Sequence, residues 1–387
     1  MNILLIHNFY KYPGGEDMYV LSLQKLLLNK GHNVYLLRRD NRDIGKKISY
    51  SSAAKSMFGK DNVYRELIHI IHKFKPDVVH VNNVYPLISE VIYSILNKYK
   101  IPTVRTFHNY RSLCAKSILF RNGKICELCP RKNLQWPSII HSCYQNSLIA
   151  SSMLMASRQY FRLKKKIQVK ANIFLSKFSF YYHQTFLNNE LAQSVNYVFP
   201  TFVNRLESKK IIPSNYFFYA GRLSEEKGIL DLLSIFSSTD MKQKLFVAGD
   251  GPLKQKISFF KKFKNISLLG NIPNAIVNQY MQKAICIIIP SKWYEVLPLT
   301  LLESFSNSTP VIVPNLGSFE DIVKDGKTGF FYDNESTNSL KSLINTVNKY
   351  PNKLKAMKKE CKIEFEKKYS AEIHYSNLIK VYSEVLN

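Results

Sequence analysis

Residues 284–315 read AICIIIPSKWYEVLPLTLLESFSNSTPVIVPN. Two short apolar runs, AICIII and VIV, each stop at a proline, and runs of that length and purity predict buried parallel strands. Between them, LPLTLLESFS predicts a helix, with Pro298 in the first turn, where a missing N–H costs nothing. The segment therefore reads strand, loop, helix, strand. It also carries two carboxylates, Glu295 on the loop after the first strand and Glu303 on the helix. A glutamate on a helix ordinarily marks a solvated face; here the surroundings are apolar. Ligands of open α/β sheets bind at the carboxyl ends of the strands. A polar ligand there would meet both carboxylates and the open N–H groups of the helix N-terminus. Carboxylates in that place suit hydroxyl donors such as those of sugars and riboses.

The same pattern extends in both directions. From NYFFYAGR onward, KLFVAGD, NISLLGN, AICIIIP, PVIVP and GFFY read as strands with helices between them. Upstream, NILLIH, NVYLLRR, DVVHVNN, PTVRTFH, NIFLS and NYVFP read as strands, and EDMYVLSLQKLLLNKG, NVYRELIHIIHKFK and LISEVIYSILNKY as helices. This is the pattern of doubly wound α/β sheets. A length of 387 residues is more than one ordinary core accommodates. The polar, proline-flanked stretch from Pro200 to Asn215 is the expected boundary. The expected domains are residues 1–200, with a cysteine-containing insert at 108–145, and residues 201–370. A helix over 371–387 is expected to pack back on the first domain. Two Rossmann-like domains joined in this way would leave a cleft faced by both sets of strand ends.

The composition, 45% hydrophobic and 21% charged, is that of a globular protein. MNILLIHN is too short for a signal peptide, and no apolar run approaches the ~18 residues of a membrane span. The expected location is cytoplasmic, peripheral at the inner face of the cell membrane. A formal net charge of +27 favours phosphate-bearing partners: nucleotides, nucleic acid or anionic lipid. Residues 157–170, SRQYFRLKKKIQVK, hold six basic residues, no acidic ones and interleaved apolar side chains. They read either as a basic amphipathic helix lying on a membrane or as a solvated helix packed on its own domain.

YAGRLSEEKGILDLL, residues 219–233, is a strand, a loop and a helix. Arg222 and Lys227 fall on the loop and Gly228 opens the helix; two cations beside a helix N-terminus suit a diphosphate. FVAGDGPLKQKI adds a second strand–helix turn with Gly249 and Gly251, at least one of which is expected simply to supply a positive φ.

GRLSEEKG, VAGDGPL, PSKWYEVLPLTLLES and PVIVPNLGSFEDIVKDGKTGFFY, in that order, resemble the consecutive blocks of the donor domain of glycosyltransferase family 4. The likeness is close over residues 216–332 and looser in the first half, through NFYKYPGGED and TFHNYRSLC. It implies an α/β GT-B fold and a retaining glycosyltransferase of the bacterial surface-polysaccharide type (capsule, O-antigen). The implied donor is a nucleotide-sugar and the implied acceptor a glycan or lipid-linked glycan. By the same resemblance Glu295 would hold the transferred sugar, Glu303 the ribose, and Arg222 and Lys227 the diphosphate. His108 would touch the donor sugar from the other domain, and Gly14 and Gly15 would let backbone approach phosphates or acceptor. Gly221, Val296 and Leu297 complete the expected nucleotide-binding set. The chain departs from the family at Val296 and at Ser308, where glycine is common.

No D-x-D metal clamp is present, so the positive charge at the leaving group is assigned to Arg222, Lys227 and helix dipoles, with no metal required. Cys114, Cys126, Cys129 and Cys143 cluster in the insert; the spacing of CELC suits zinc, and reduced thiols packing a small lid are the other reading. Two further functions compete: a sugar-nucleotide epimerase of the same fold, which needs no acceptor, and a basic nucleic-acid-binding protein. The ordered blocks disfavour both, and no nucleic-acid partner is expected.

Overall fold

The computed structural model describes the chain except residues 13, 61, 133, 164–166, 205–213 and 348. Its strands are β1 (Asn2–Phe9), β2 (Asn33–Asp40), β3 (Val78–Val81), β4 (Thr103–Phe107), β5 (Phe120–Arg121), β6 (Lys124–Ile125), β7 (Ala171–Phe174), β8 (Val195–Val198), β9 (Tyr216–Ala220), β10 (Lys244–Ala248), β11 (Ile266–Gly270), β12 (Ile287–Ile288), β13 (Val311–Pro314) and β14 (Gly329–Tyr332). Two six-stranded sheets, ordered β2-β1-β3-β4-β7-β8 and β11-β10-β9-β12-β13-β14, are parallel throughout. The strand order reverses between β1 and β3 in one sheet and between β9 and β12 in the other. Those switch points are where loops diverge and a crevice opens at the carboxyl ends.

The central strands are apolar because both of their faces are covered: Ile3, Leu4, Leu5 and Ile6 are wholly buried, as are Phe217, Phe218 and Ile287. The chain divides into two compact units. The first holds Met1–Leu119, Glu127–Thr201 and His374–Asn387; the second holds Phe120–Cys126 and Phe202–Ile373. The expected boundary stretch lies largely outside the described residues, at 205–213. The C-terminal helix Ala371–Leu386 buries Leu378, Val381 and Tyr382, and Tyr382 meets His80 Nδ1 at 2.7 Å within the first unit.

Three local expectations are corrected. The helix read over LISEVIYSILNKY begins only at Val91, because Ser89 takes a left-handed φ of +68° and its N–H turns back to the Val84 carbonyl at 2.7 Å. Pro298 is the residue before the helix Leu299–Ser306, with ψ of 113°, rather than part of its first turn. The basic segment is not one helix over 157–170: the helix is Leu148–Leu163, and Ile167–Val169 lie outside helix. Its Ser157, Arg158 and Phe161 point inward and are buried, so its packing on its own unit, not a free basic face, fixes its orientation. Lys164, Lys165 and Lys166 lie outside the described residues. Among the described residues, no helix is long and apolar enough to cross a membrane.

Candidate active site

In the second unit the loops that follow β9 and β12 flank the switch point. The first makes a short 3-10 turn, Glu225–Lys227, and ends at Gly228 with φ +67°. A Cβ on Gly228 would stand 1.8 Å from the Pro290 carbonyl oxygen. Glycine is therefore needed twice over, for its φ and for the close approach of two backbones. That approach brings Lys227 to the β12 loop. Glu295 Oε1 accepts from Lys227 Nζ at 2.6 Å, from Ser291 Oγ at 2.7 Å and from Trp293 Nε1 at 2.9 Å. The Lys227 ammonium also lies 5.3 Å from the centre of the Trp293 ring. Glu295 is 4% exposed. All three donors converge on Oε1, and the described residues place none on Oε2. The carboxylate is thus held rigidly with one oxygen left to accept from a ligand.

Glu303 is arranged differently. It is half-buried, and its carboxylate has no hydrogen-bond or ionic partner among the described residues. Burial pushes its carboxyl above the ordinary carboxylate range. The N–H groups of Val296 and Leu297, just ahead of the helix Leu299–Ser306, find no acceptor among the described residues. Their partial positive charge and the unpartnered Glu303 lie on the same loop–helix segment. Arg222 is exposed at the start of the β9 loop. Gly221 has ordinary φ, and its N–H donates to Ala248 at 3.1 Å. Gly249 supplies the positive φ, +144°, and lies so close to Gly221 that a Cβ would fall 1.9 Å from its carbonyl oxygen. Ser308 carries a φ of +56°, which explains why a glycine suits that position.

In the first unit, the corresponding loops follow β1, β3 and β4. Gly14 and Gly15 are exposed at the N-terminus of the helix Gly15–Asn29; Gly14 has φ −130°, and a Cβ there would meet nothing within 4 Å. Its N–H donates to Asp17 Oδ2 at 2.9 Å, and Asp17 Oδ1 meets the buried His7 Nε2 at 2.8 Å. Glu16 receives the Tyr10 hydroxyl at 2.8 Å and Asn109 Nδ2 at 3.0 Å. His108 is half-buried; its Nε2–H donates to Asn82 Oδ1 at 2.8 Å, and its ring lies against Tyr19. Burial, with His7, His80 and His374 nearby, holds its pKa well below the usual histidine range. Neutral and with Nε2 committed, it suits a hydroxyl contact at Nδ1 better than strong general-base work.

Sequence reasoning missed Ser291 and Trp293, although both lie in the stretch that raised the question. A serine and a tryptophan flanking a buried glutamate are donors it needs. It also missed Tyr10, Asp17 and Asn109, although they lie in NFYKYPGGED and TFHNYRSLC, as well as Asn82, which no motif marks, and the β5–β6 hairpin, signalled by Asn122–Gly123 with φ of +54° and +76°. Of the two readings of the insert cysteines, the geometry supports reduced thiols: no disulfide joins them, and among the described residues no group of three or more His, Cys, Asp or Glu is placed to hold a metal. Cys114 and Cys129 are instead buried as small apolar side chains, with Cys129 Sγ at 3.8 Å from the Gln135 carbonyl oxygen.

Two family models match the chain. "Glycosyl transferases group 1" covers residues 203–363 and "Glycosyltransferase Family 4" covers residues 13–125. A 42.6 kDa protein of the cps region of Klebsiella pneumoniae is 25% identical over 360 residues, 83% of this chain and 87% of that protein. The alpha-monoglucosyldiacylglycerol synthase of Acholeplasma laidlawii is 25% identical over 396 residues, 95% of this chain and 93% of that one. The solved structure of Anabaena HepE with UDP and glucose superimposes with a TM-score of 0.67 at 14% identity, covering 99% of each chain. The donor-side blocks and the first-half match stand in the family's order on two parallel sheets, and the chain belongs to the group 1 glycosyltransferases of the family 4 type, enzymes of GT-B fold.

Proposed function

We propose that the chain transfers a sugar, with retention of anomeric configuration, from a nucleoside diphosphate sugar to a lipid-linked glycan in surface-polysaccharide assembly. The observation that carries the donor half is the contrast between Glu295, fixed through Oε1 by three donors, and Glu303, half-buried with no partner among the described residues. Glu303 accepts from the ribose hydroxyls, and Glu295 accepts through Oε2 from a hydroxyl of the transferred sugar. The open N–H groups of Val296 and Leu297, with Lys227 and Arg222, neutralise the diphosphate as it leaves. The bond from the anomeric carbon to the diphosphate breaks, a bond to the acceptor oxygen forms on the same face, and the acceptor proton passes to a diphosphate oxygen. Gly14 and Gly15 let backbone approach the phosphates or the acceptor, and His108 contacts a hydroxyl of the donor sugar.

The similarity to a cps-region protein and to a glycolipid synthase, and the UDP held by the HepE structure, support this reading. Membrane contact is supported by the net charge of +27 and by the exposed Trp136, Ile140, Leu148 and Ile149. Calorimetry and donor hydrolysis against a panel of nucleotide-sugars test it. Saturable binding of one nucleoside diphosphate and its sugar, weakened in Glu303→Ala, is expected. A chain that binds none of the panel, or that interconverts donor sugars with no acceptor present, is not this transferase.

A further inference from the structure

A second polar site lies wholly within the first unit. At the carboxyl ends of β1, β3 and β4, a cavity of about 70 Å³ is lined by Glu16, Asn82, Arg105, Arg111, Ser112 and Arg158, among others. That is room for a carboxylate or a few waters. Arg105 and Arg158 are 8% and 5% exposed, which is rare for guanidinium groups. Arg105 spends Nε on Asn172 and Nη1 on Glu190, at 3.0 and 2.8 Å. Arg158 binds Gln135 Oε1 at 2.8 Å and the Ser112 carbonyl. Arg111 reaches only neutral acceptors, the Ala115 carbonyl at 3.1 Å and Ser117 Oγ at 3.4 Å.

Four buried donors around this cavity make no hydrogen bond of good geometry among the described residues: Arg105 Nη2, Arg111 Nε, Asn82 Nδ2 and Ser112 Oγ. These atoms are buried, and a buried donor left unpaired costs stability, so the cavity favours a guest that accepts from them. The two other orphaned atoms of the lining, the Tyr85 hydroxyl and Glu90 Oε2, are a donor and an acceptor and suit one another. What the site lacks is therefore an acceptor of hydrogen bonds from arginine, which describes a carboxylate or a phosphate. His108 and Asn109 also line the cavity, at the strand ends where such sheets bind ligands. With the nucleotide assigned to the second unit, the ligand of this cavity is the other substrate.

We propose that this cavity seats one anionic group of the acceptor, the carboxylate of a uronic acid or a sugar phosphate ester, and so selects an acidic acceptor. The proposal rests on the glycosyl-transfer reading above. It is tested on the full chain by ligand-detected NMR titration with glucuronate, glucose 6-phosphate and glucose, beside calorimetry with UDP. At least one anion is expected to bind about tenfold or more tightly than glucose, the scale of one charge-assisted hydrogen bond. Arg111→Gln should remove that preference while UDP binding stays, and Ser112→Ala should weaken it less. Binding of glucuronate alone assigns the site to a carboxylate, of glucose 6-phosphate alone to a phosphate, and of both to either source. The proposal fails if neither anion outbinds glucose, or if both variants keep wild-type preference, while UDP still binds. Loss of UDP binding by the wild-type chain would overturn the transferase reading instead.

Discussion

All nine histidines lie in the first unit and none in the second, although both units are built on a six-stranded parallel sheet. The first sheet covers its carboxyl ends with buried polar groups: His7, His80, Asp17 and Asn83, with His374 and Tyr382 brought back by the C-terminal helix. The second has apolar core clusters around Leu232 and Phe305, and its buried carboxylates, Glu295 and Glu364, are each bound by lysine. The same backbone plan therefore supports a many-membered polar network in one unit and separate lysine-bound carboxylates in the other, of which Glu295 lies at the switch point. A network spreads recognition over many weak groups. One anchored carboxylate beside one unpartnered one gives two sharply different contacts.

Acid should separate the units most. Burial lowers His183 and His374 to about 4 and His80 to about 3. The unfolded chain takes up these protons below about pH 6.5 and the folded one does not. Stability is thus fully present above the unfolded value and is lost as pH falls toward the folded one, by about 3 kcal/mol each for His183 and His374. Hydrogen exchange followed by mass spectrometry between pH 7 and 4 should show peptides of residues 1–119, 127–201 and 374–387 opening before those of 214–373. Simultaneous opening, or the reverse order, would break the contrast.

Next in size is the ion pair. Lys227→Met leaves Glu295 buried without its cation and removes charge at the leaving group. A rate loss of about 10²–10³ is expected, together with a lower melting temperature for the second unit. Adding Glu295→Gln should recover part of the stability and none of the rate. If the two single losses of stability simply add in the double variant, Lys227 and Glu295 do not act as a unit.

Glycine substitutions compare the two switch-point loops directly. Gly228→Ala forces a left-handed residue against the Pro290 carbonyl, costing about 1–3 kcal/mol in backbone strain before the clash is counted. Gly14→Ala meets open space with extended backbone and should leave melting unchanged. Equal melting of both variants would mean that the β9 and β12 loops are not as closely apposed as described.

The smallest effect is the division of the donor. Glu303→Ala should weaken UDP binding by about 1.5–3 kcal/mol, whereas Glu295→Ala should leave it nearly unchanged and lower transfer. Without ligand, Glu303→Gln should be slightly more stable than wild type at pH 7. Its raised carboxyl makes stability fall as pH rises from the unfolded value through the folded one, and the difference should vanish below about pH 4. Equal loss of UDP affinity in the two alanine variants would dissolve the distinction between anchored and open carboxylates.

The residues that could be read in advance are those whose role follows from local sequence. The apolar runs announced the strands because a parallel sheet hides both faces. Glu295, Glu303, Lys227 and Gly228 stood out because each occupies a strand–loop–helix junction, where polar residues are otherwise unexplained. Arg158 misled: in a basic segment it looked like surface charge, yet it is 5% exposed and bonded to Gln135. The cysteine spacing misled in the same way, since CELC does not say which other side chains the fold brings near.

The order of elements, the doubly wound character of both halves and the donor-side motifs were determined by the sequence itself, through hydrophobic runs and glycine placement. Only the tertiary structure decided that Lys227 pairs with Glu295, 68 positions away, that Glu303 has no partner among the described residues, and that unpaired donors from Asn82, Arg105, Arg111 and Ser112 border one cavity. The reason is physical. Strand and helix propensity act over a few neighbours in the chain, whereas a buried charge or hydrogen bond depends on which distant groups the packed sheet ends bring within about 3 Å.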